Sequence, residues 1–382
     1  MKSFEQMNNY LRYYSLGFQY KDLEKYVIAN DNCCFCGLCV SICPTNVIGL
    51  KENEEIYLAN PNECSECSLC LKYCARSFYP NEIFDNLLFD SKDTKHENLG
   101  SYKKLVLAKT KDKDIAKVAQ NGGVITTLLV YALEKGIIDG VLLTGRDENW
   151  NPIPKVARTK EEIIESAGSL YTMVPSLISY KQAVMEYKLK KLAFVGMPCQ
   201  IQSVRKLQLC NPLSDEYGKI ELILGLLCSS NFAYDKLSKK VNEAYGLKMN
   251  QVKKFDIGRG KFFVYPKNGD VKTFPVKETT PLKWGGCLHC IDYAANYADI
   301  SAGSVGATKD EENSVFVRTD IGAKLFNDAV KAKSIEVIGD PDISKLEANA
   351  DRKVKFVKEI ENNLMKIDDF VEFMDLVLSD DK

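Results

Sequence analysis

The chain has 382 residues, 45% of them apolar, enough for two or three domains with packed cores. Its 51 Lys and Arg nearly cancel its 52 Asp and Glu, which excludes a global basic field for nucleic acid and an acidic disordered tail. The longest apolar runs, Lys191–Met197 and Ile220–Cys228, fall far short of the roughly 18 residues that cross a bilayer, so membrane contact is expected only through a partner.

In chain order, residues 1–27 read as a helical lead-in without the Arg-rich pattern of a targeting peptide. Residues 28–90 read as a small iron–sulfur unit. Cys33-x2-Cys36-x2-Cys39-x3-Cys43 recurs 31 residues later as Cys64-x2-Cys67-x2-Cys70-x3-Cys74. That is the ligand pattern of two-cluster bacterial ferredoxins, in which three cysteines hold one cubane and the fourth crosses to the other. One [4Fe–4S] cluster is therefore assigned to Cys33, Cys36, Cys39 and Cys74, and the other to Cys64, Cys67, Cys70 and Cys43. Zinc is the competing occupant, but a zinc knuckle needs two thiolates where each run supplies four. Disulfides belong mostly to short secreted chains. The second run ends in Cys74-Ala75, without the proline that follows Cys43; that proline shapes a turn and is no ligand. Reduced thiols and oxygen-labile clusters imply a cytoplasm, and single-electron chemistry.

Ser91–Asn98 has linker composition. Beyond it, over residues 100–330, strands and helices alternate. Strands are expected at 103–110, 139–145, 191–197 and 221–228, and helices at 123–135, from a Thr159-x-x-Glu162 capping box, around 176–188, shortly after Pro198 and up to about Ala244. A hairpin follows with Asn268-Gly269 at its turn, then strands at 298–303 and 314–319. From Asp320 the chain reads as mostly helical, making residues 331–382 a helical extension whose charged end, from about Val354, is a solvated face. The fold class is α+β and α/β: a small N-terminal bacterial-type ferredoxin domain, then an α/β domain with a mixed sheet and a helical C-terminus.

Cys199, Cys228, Cys287 and Cys290 fall at strand ends or in loops, where α/β sheets assemble sites. They suit one further [4Fe–4S] cluster; the alternative is that Cys199 and Cys228 are ordinary buried cysteines. Cys34 and Cys210 read as structural, and His289 is unnecessary to a four-cysteine set. No G-x-G-x-x-G follows a strand, so a Rossmann nicotinamide site is unsupported.

Asn121-Gly122-Gly123-Val124-Ile125-Thr126, Gly168-Ser169-Leu170-Tyr171, Gly196-Met197-Pro198-Cys199-Gln200, Leu227-Cys228, Cys287-x2-Cys290 and Ala298-Asp299-Ile300-Ser301 together resemble the coenzyme F420 hydrogenase/dehydrogenase beta-subunit family. The resemblance implies FAD, hydride exchange with coenzyme F420, and a cluster on the four cysteines above, three in all. The N-terminal unit makes the chain most similar to the input subunit of F420H2 dehydrogenases, with a relay beta subunit of a formate dehydrogenase or hydrogenase as the alternative. Ferredoxin or a larger redox complex is the expected partner, and homo-oligomers stay open. No general acid, nucleophile or triad is needed. For FAD the candidates are Asn121, Gly122, Gly123, Thr126, Ser169, Tyr171, Pro198 and Gln200; for the anionic tail of F420 they are Arg146, Arg205, Arg259 and Lys283.

Overall fold

The computed structural model describes residues 18–51, 55–77, 81–210 and 219–361. Its centre is an eight-stranded mixed sheet. The strands are β1 (Lys104–Thr110), β2 (Gly140–Arg146), β3 (Pro152–Ala157), β4 (Lys191–Gly196), β5 (Lys219–Leu226), β9 (Ile300–Gly303), β10 (Asn313–Val317) and β11 (Ile335–Gly339). Strands β6 (Val252–Gly258), β7 (Lys261–Pro266) and β8 (Lys272–Pro275) form a separate antiparallel meander. The large sheet runs β11-β1-β10-β9-β5-β4-β2-β3, parallel from β9 to β2 and antiparallel elsewhere.

Alternation along these strands sends successive side chains to opposite faces. Val141, Leu143, Leu222 and Leu224 enter a core with Leu128 and Leu129 of helix α1 (Val124–Glu134) and with Leu325 and Phe326 of helix α4 (Asp320–Lys331). Leu142, Phe194 and Ile223 face the other way, onto Ile201, Val204 and Leu207 of helix α2 (Pro198–Cys210). That second core continues without a break into Phe35, Leu38, Ile48, Leu71 and Phe84 of the N-terminal unit. Apolar burial therefore fuses the cysteine-rich unit to the sheet. The meander has its own aromatic core, in which Trp150, Phe255, Phe262 and Phe274 pack on Leu237 and Val241 of helix α3 (Tyr234–Tyr245).

The 31-residue repeat is visible in the backbone. Phe35 and Glu66 share φ near 50°, and Gly37 and Ser68 are both left-handed, each just before a short helix, Leu38–Ser41 or Leu69–Lys72. At Gly37 the reason is spatial as well, since a Cβ there would meet Ile178 Cγ1 at 2.7 Å and Pro175 Cβ at 2.9 Å.

Several expectations need correction. The linker at Ser91–Asn98 is structured: Thr94–His96 pairs with Gly100–Tyr102, and His96 and Asn98 bond Glu347 and Asp351 of helix α5 (Ile343–Glu361). Lys103 adds ion pairs to Asp90, Asp93 and Asp320. Residues 331–382 are not wholly helical, because β11 pairs with β1 at the sheet edge. Strand β3 was not expected, since it contains Pro152 and Pro154; it is an edge strand, where a missing N–H is tolerated. The helix expected at 176–188 is a 3-10 turn, a short α segment and a π turn, and the helix after Pro198 is 13 residues long. The lead-in before Phe18 and the tail beyond Glu361 lie outside the described residues.

Candidate redox site

Cys33, Cys36, Cys39 and Cys74 line one cavity with Leu23, Val27, Leu38 and Ile56. The last cysteine of the second run thus meets the first three of the first run, as the crossing pattern requires. Burial, then the neighbouring Cys74, pushes the Cys33 thiol up to about 12. Backbone N–H groups of Phe35 and Arg76 donate to the sulfurs of Cys33 (3.3 Å) and Cys74 (3.4 Å).

Cys64, Cys67 and Cys70 form the second group. Burial, then Cys67, with Cys74 and Cys64 adding to it, pushes Cys70 up to about 12. Cys67 is exposed, and Cys70 also lines the first cavity, so the two groups abut. Cys43 is buried with its sulfur 3.7 Å from Thr45 Oγ1.

The third group is assembled from three distant places. Cys199 opens α2, Cys228 follows β5, and Cys287 and Cys290 share the loop after the meander. Burial raises the Cys228 thiol, and Cys287, Cys199 and Cys290 all add to it. Burial, then Cys199, likewise raises Cys287, to about 11. Burial alone would raise Cys290 too, but Lys353 and Arg76 outweigh it and hold that thiol below its ordinary value. All four side chains therefore lie within electrostatic reach of one another. Among the described residues no three His, Cys, Asp or Glu side chains close on one point as ligands of a single ion do; a cubane holds its thiolates farther apart.

Two connections join the groups. Cys34, 3% exposed, is buried within electrostatic reach of both Cys199 of the third group and Cys36 of the first. Arg76, half-buried, donates to Gly286 O (2.9 Å) and His289 O (3.2 Å), carbonyls just before Cys287 and Cys290. Ser203 of α2 lies 3.5 Å from Cys36 Sγ and accepts from Ala75 N. On the far side of the third group, Lys353 of α5 is 7% exposed and donates to Cys228 O (2.8 Å) and Asp292 O (2.5 Å).

The candidate flavin residues fall into two places. The Asn121–Gly123 turn and the Gly168–Tyr171 segment are tied through Gln120, which accepts from Ser169 N and donates to Phe255 O. Asn121 donates to Asp310 O, and Gly123, at φ 71°, precedes α1, which carries Thr126 in its first turn. Gly122 is required by packing, since a Cβ would meet Asn313 N at 2.8 Å and Ala108 O at 2.9 Å. Tyr171, at φ 63°, donates to Asp256, and Thr172 Oγ1 is buried with no hydrogen-bond partner among the described residues. The segment then pairs with the loop beside the third group: Phe232 N donates to Tyr171 O, Met173 N to Phe232 O, and Asn231 N to Cys287 Sγ (3.3 Å). Pro198 and Gln200 sit apart. Gln200, 1% exposed, bonds Val174 O and Met197 N, which fixes the entry to α2.

The basic candidates separate as well. Arg205 is 1% exposed and turned into the core, where it engages Asp299, Tyr297 O and Gln208. Arg146 is exposed, with its guanidinium 4.6 Å from the Trp150 ring and Gly168 alongside. Arg259 is exposed at the β6–β7 turn. Lys283 is half-buried over the Phe356 ring at 4.1 Å, near Cys287.

Sequence reasoning missed Arg76, Lys353 and Asn231. Arg76 carried one signal, a cation two residues past the last cysteine of the second run; Lys353, on a charged helix, carried none.

Ferredoxin-type thiol loops fused to an α/β body define an iron–sulfur electron-transfer oxidoreductase. Comparison narrows the class. The chain belongs to the coenzyme F420 hydrogenase/dehydrogenase beta-subunit family, whose N-terminal and C-terminal models match residues 105–179 and 189–342, while a 4Fe-4S binding domain model matches residues 26–49. It is 42% identical over 271 residues to the beta subunit of the coenzyme F420 hydrogenase of Methanothermobacter thermautotrophicus, covering 69% of this chain and 95% of that one. It is 33% identical over 330 residues to a subunit of the F420H2 dehydrogenase of Methanosarcina mazei, covering 82% and 86%. In three dimensions it is similar to a chain of the F420-reducing [NiFe] hydrogenase complex from Methanosarcina barkeri, with a TM-score of 0.67 and 37% identity over 71% of this chain and 94% of that one. The iron–sulfur match places cubane clusters ahead of zinc on the first run.

Proposed function

We propose that this protein oxidises reduced coenzyme F420 at a bound FAD and passes single electrons through three [4Fe–4S] clusters to ferredoxin or a larger redox complex. The observation that carries this reading is the adjacency of the candidate flavin segment, the third thiol group and the first. Tyr171–Met173 pairs with Phe232, Asn231 donates to Cys287, and Ser203 of α2, the helix that Cys199 opens, lies 3.5 Å from Cys36 Sγ.

FAD, when bound, takes a hydride and releases its electrons singly, the exchange that a deazaflavin and an iron–sulfur cluster need between them. Two features fit it between the Asn121–Gly123 turn and the Gly168–Thr172 segment. Thr172 offers an orphaned buried hydroxyl, and the first turn of α1 offers backbone N–H groups to phosphate. Ser169, Tyr171 and Thr126 then border the flavin, and Arg146 is the best placed of the basic candidates for the anionic tail of F420, ahead of Lys283 and Arg259. The protein orients the two rings, excludes water and holds the fixed charges. A second reading, a relay component docked on a hydrogenase or dehydrogenase, is favoured by relatives that are themselves named as subunits.

The test is anaerobic mixing of reconstituted protein, with FAD and iron quantified, against reduced F420. Flavin bleaching followed by loss of iron–sulfur absorbance is expected. Bound FAD and intact clusters without bleaching would overturn the F420 reading and favour the relay.

A further inference from the structure

We infer that Lys353 and Arg76 form a cationic clamp that raises the reduction potential of a cluster on Cys199, Cys228, Cys287 and Cys290, making it the electron sink between flavin and ferredoxin unit. The inference rests on the reading above that those four thiols hold a cluster.

The clamp closes from two separate parts of the chain. Lys353 reaches in from α5 and bonds the carbonyls of Cys228 and Asp292; Arg76 reaches in from the N-terminal unit and bonds those of Gly286 and His289. Each carbonyl belongs to a ligand or to a residue close beside one. Holding carbonyls requires N–H donors, which an uncharged amide supplies equally well, so the charges need another explanation.

Burying a cation without a counter-charge is unfavourable. Lys353 is 7% exposed, and neither it nor Arg76 forms an ion pair with a carboxylate among the described residues. Arg76 Nε is also buried with no hydrogen-bond partner there. The Asp292 carboxylate is turned to Asn296 N. The nearest groups that balance Lys353 are the thiols of Cys290 and Cys228, with the Asp292 carboxylate after them, and Arg76 is balanced first by Cys290. A thiolate-ligated cubane is anionic when oxidised and one unit more so when reduced, so fixed cations beside it favour the reduced state. Arg76 also lies within electrostatic reach of Cys33 and Cys34, so its field extends toward the first group, while the thiols that Lys353 acts on most are Cys290, Cys228 and Cys287 of the third.

The test is an anaerobic redox titration of the full-length reconstituted protein followed by paramagnetic resonance, with the third cluster's signal identified by its loss in C290S. K353Q and R76Q are expected to lower that midpoint by a factor of about ten or more in the reduction equilibrium, about 59 mV for a one-electron couple. K353R and R76K, which keep the charge, should stay close to the wild-type value. Assembled clusters with an unmoved midpoint in both neutral variants overturn the clamp, as does R76K falling as far as R76Q. If K353Q does not assemble the cluster, the R76Q and R76K pair decides alone. A wild-type protein with no signal that C290S removes overturns the cluster reading itself, and the clamp with it.

Discussion

Arg205 and Asp299 pair at 3.0 Å with side chains 2% and 1% exposed, and Asp299 also accepts from Ile223 N and Thr319. Removing one partner of such a pair leaves a buried charge uncompensated, so R205A should cost about 3–5 kcal/mol in urea unfolding. A variant that keeps wild-type stability but loses affinity for F420 would instead return Arg205 to the site. The raised thiols make a second prediction, for the iron-free protein. Cys33 and Cys70 rise from an ordinary 9.0 to about 12, so the folded state keeps protons that the unfolded chain releases. Stability is thus intact below 9.0 and falls as pH climbs toward about 12, which urea melts at neutral pH and near the top of that window will read. At this scale the iron–sulfur character of the first cysteine run was legible because spacing encodes cluster geometry, while a cluster on the third set, read from strand ends, is a proposal. Lys353 was not legible, since nothing local marks the one lysine of a charged helix that turns inward.

Among the elements, the two thiol loops repeat even in their dihedral angles, but their surroundings differ. Gly37 packs on Pro175 and Ile178 where the second loop has Ser68. G37A therefore meets both a left-handed φ of 81° and a contact at 2.7 Å, and should destabilise by ~1–3 kcal/mol with slower electron transfer into the first group; an unchanged melting temperature would contradict this. Strands and helices with clear periodicity, such as β1, β4, β5 and α1, were legible to within a residue or two. Edge elements were not. Only Ile335 of β11 is buried, leaving no alternation to read, and β3 carries prolines that argue against a strand until its edge position is known. The Ser91–Asn98 segment looked like a linker because its polar side chains serve long-range partners on α5.

Across the whole molecule, one apolar core runs from the thiol loops into the sheet, so the clusters and the α/β body should lose structure together. Removing iron with a chelator is expected to lower the melting temperature by well over the ~2–4 °C that 1 kcal/mol produces in a domain of this size, with protection lost in α2 as well as in the loops. Protection confined to its normal pattern in α2 would mean that the two units are independent. On the proposed function, electrons would pass in one order of stations: flavin segment, third thiol group, ferredoxin-type groups. The most direct test of that order compares wild type with C290S in anaerobic stopped-flow against reduced F420. The flavin should bleach in both, while ferredoxin-cluster absorbance falls only in the wild type. Ferredoxin clusters reduced at the wild-type rate in C290S would contradict the route.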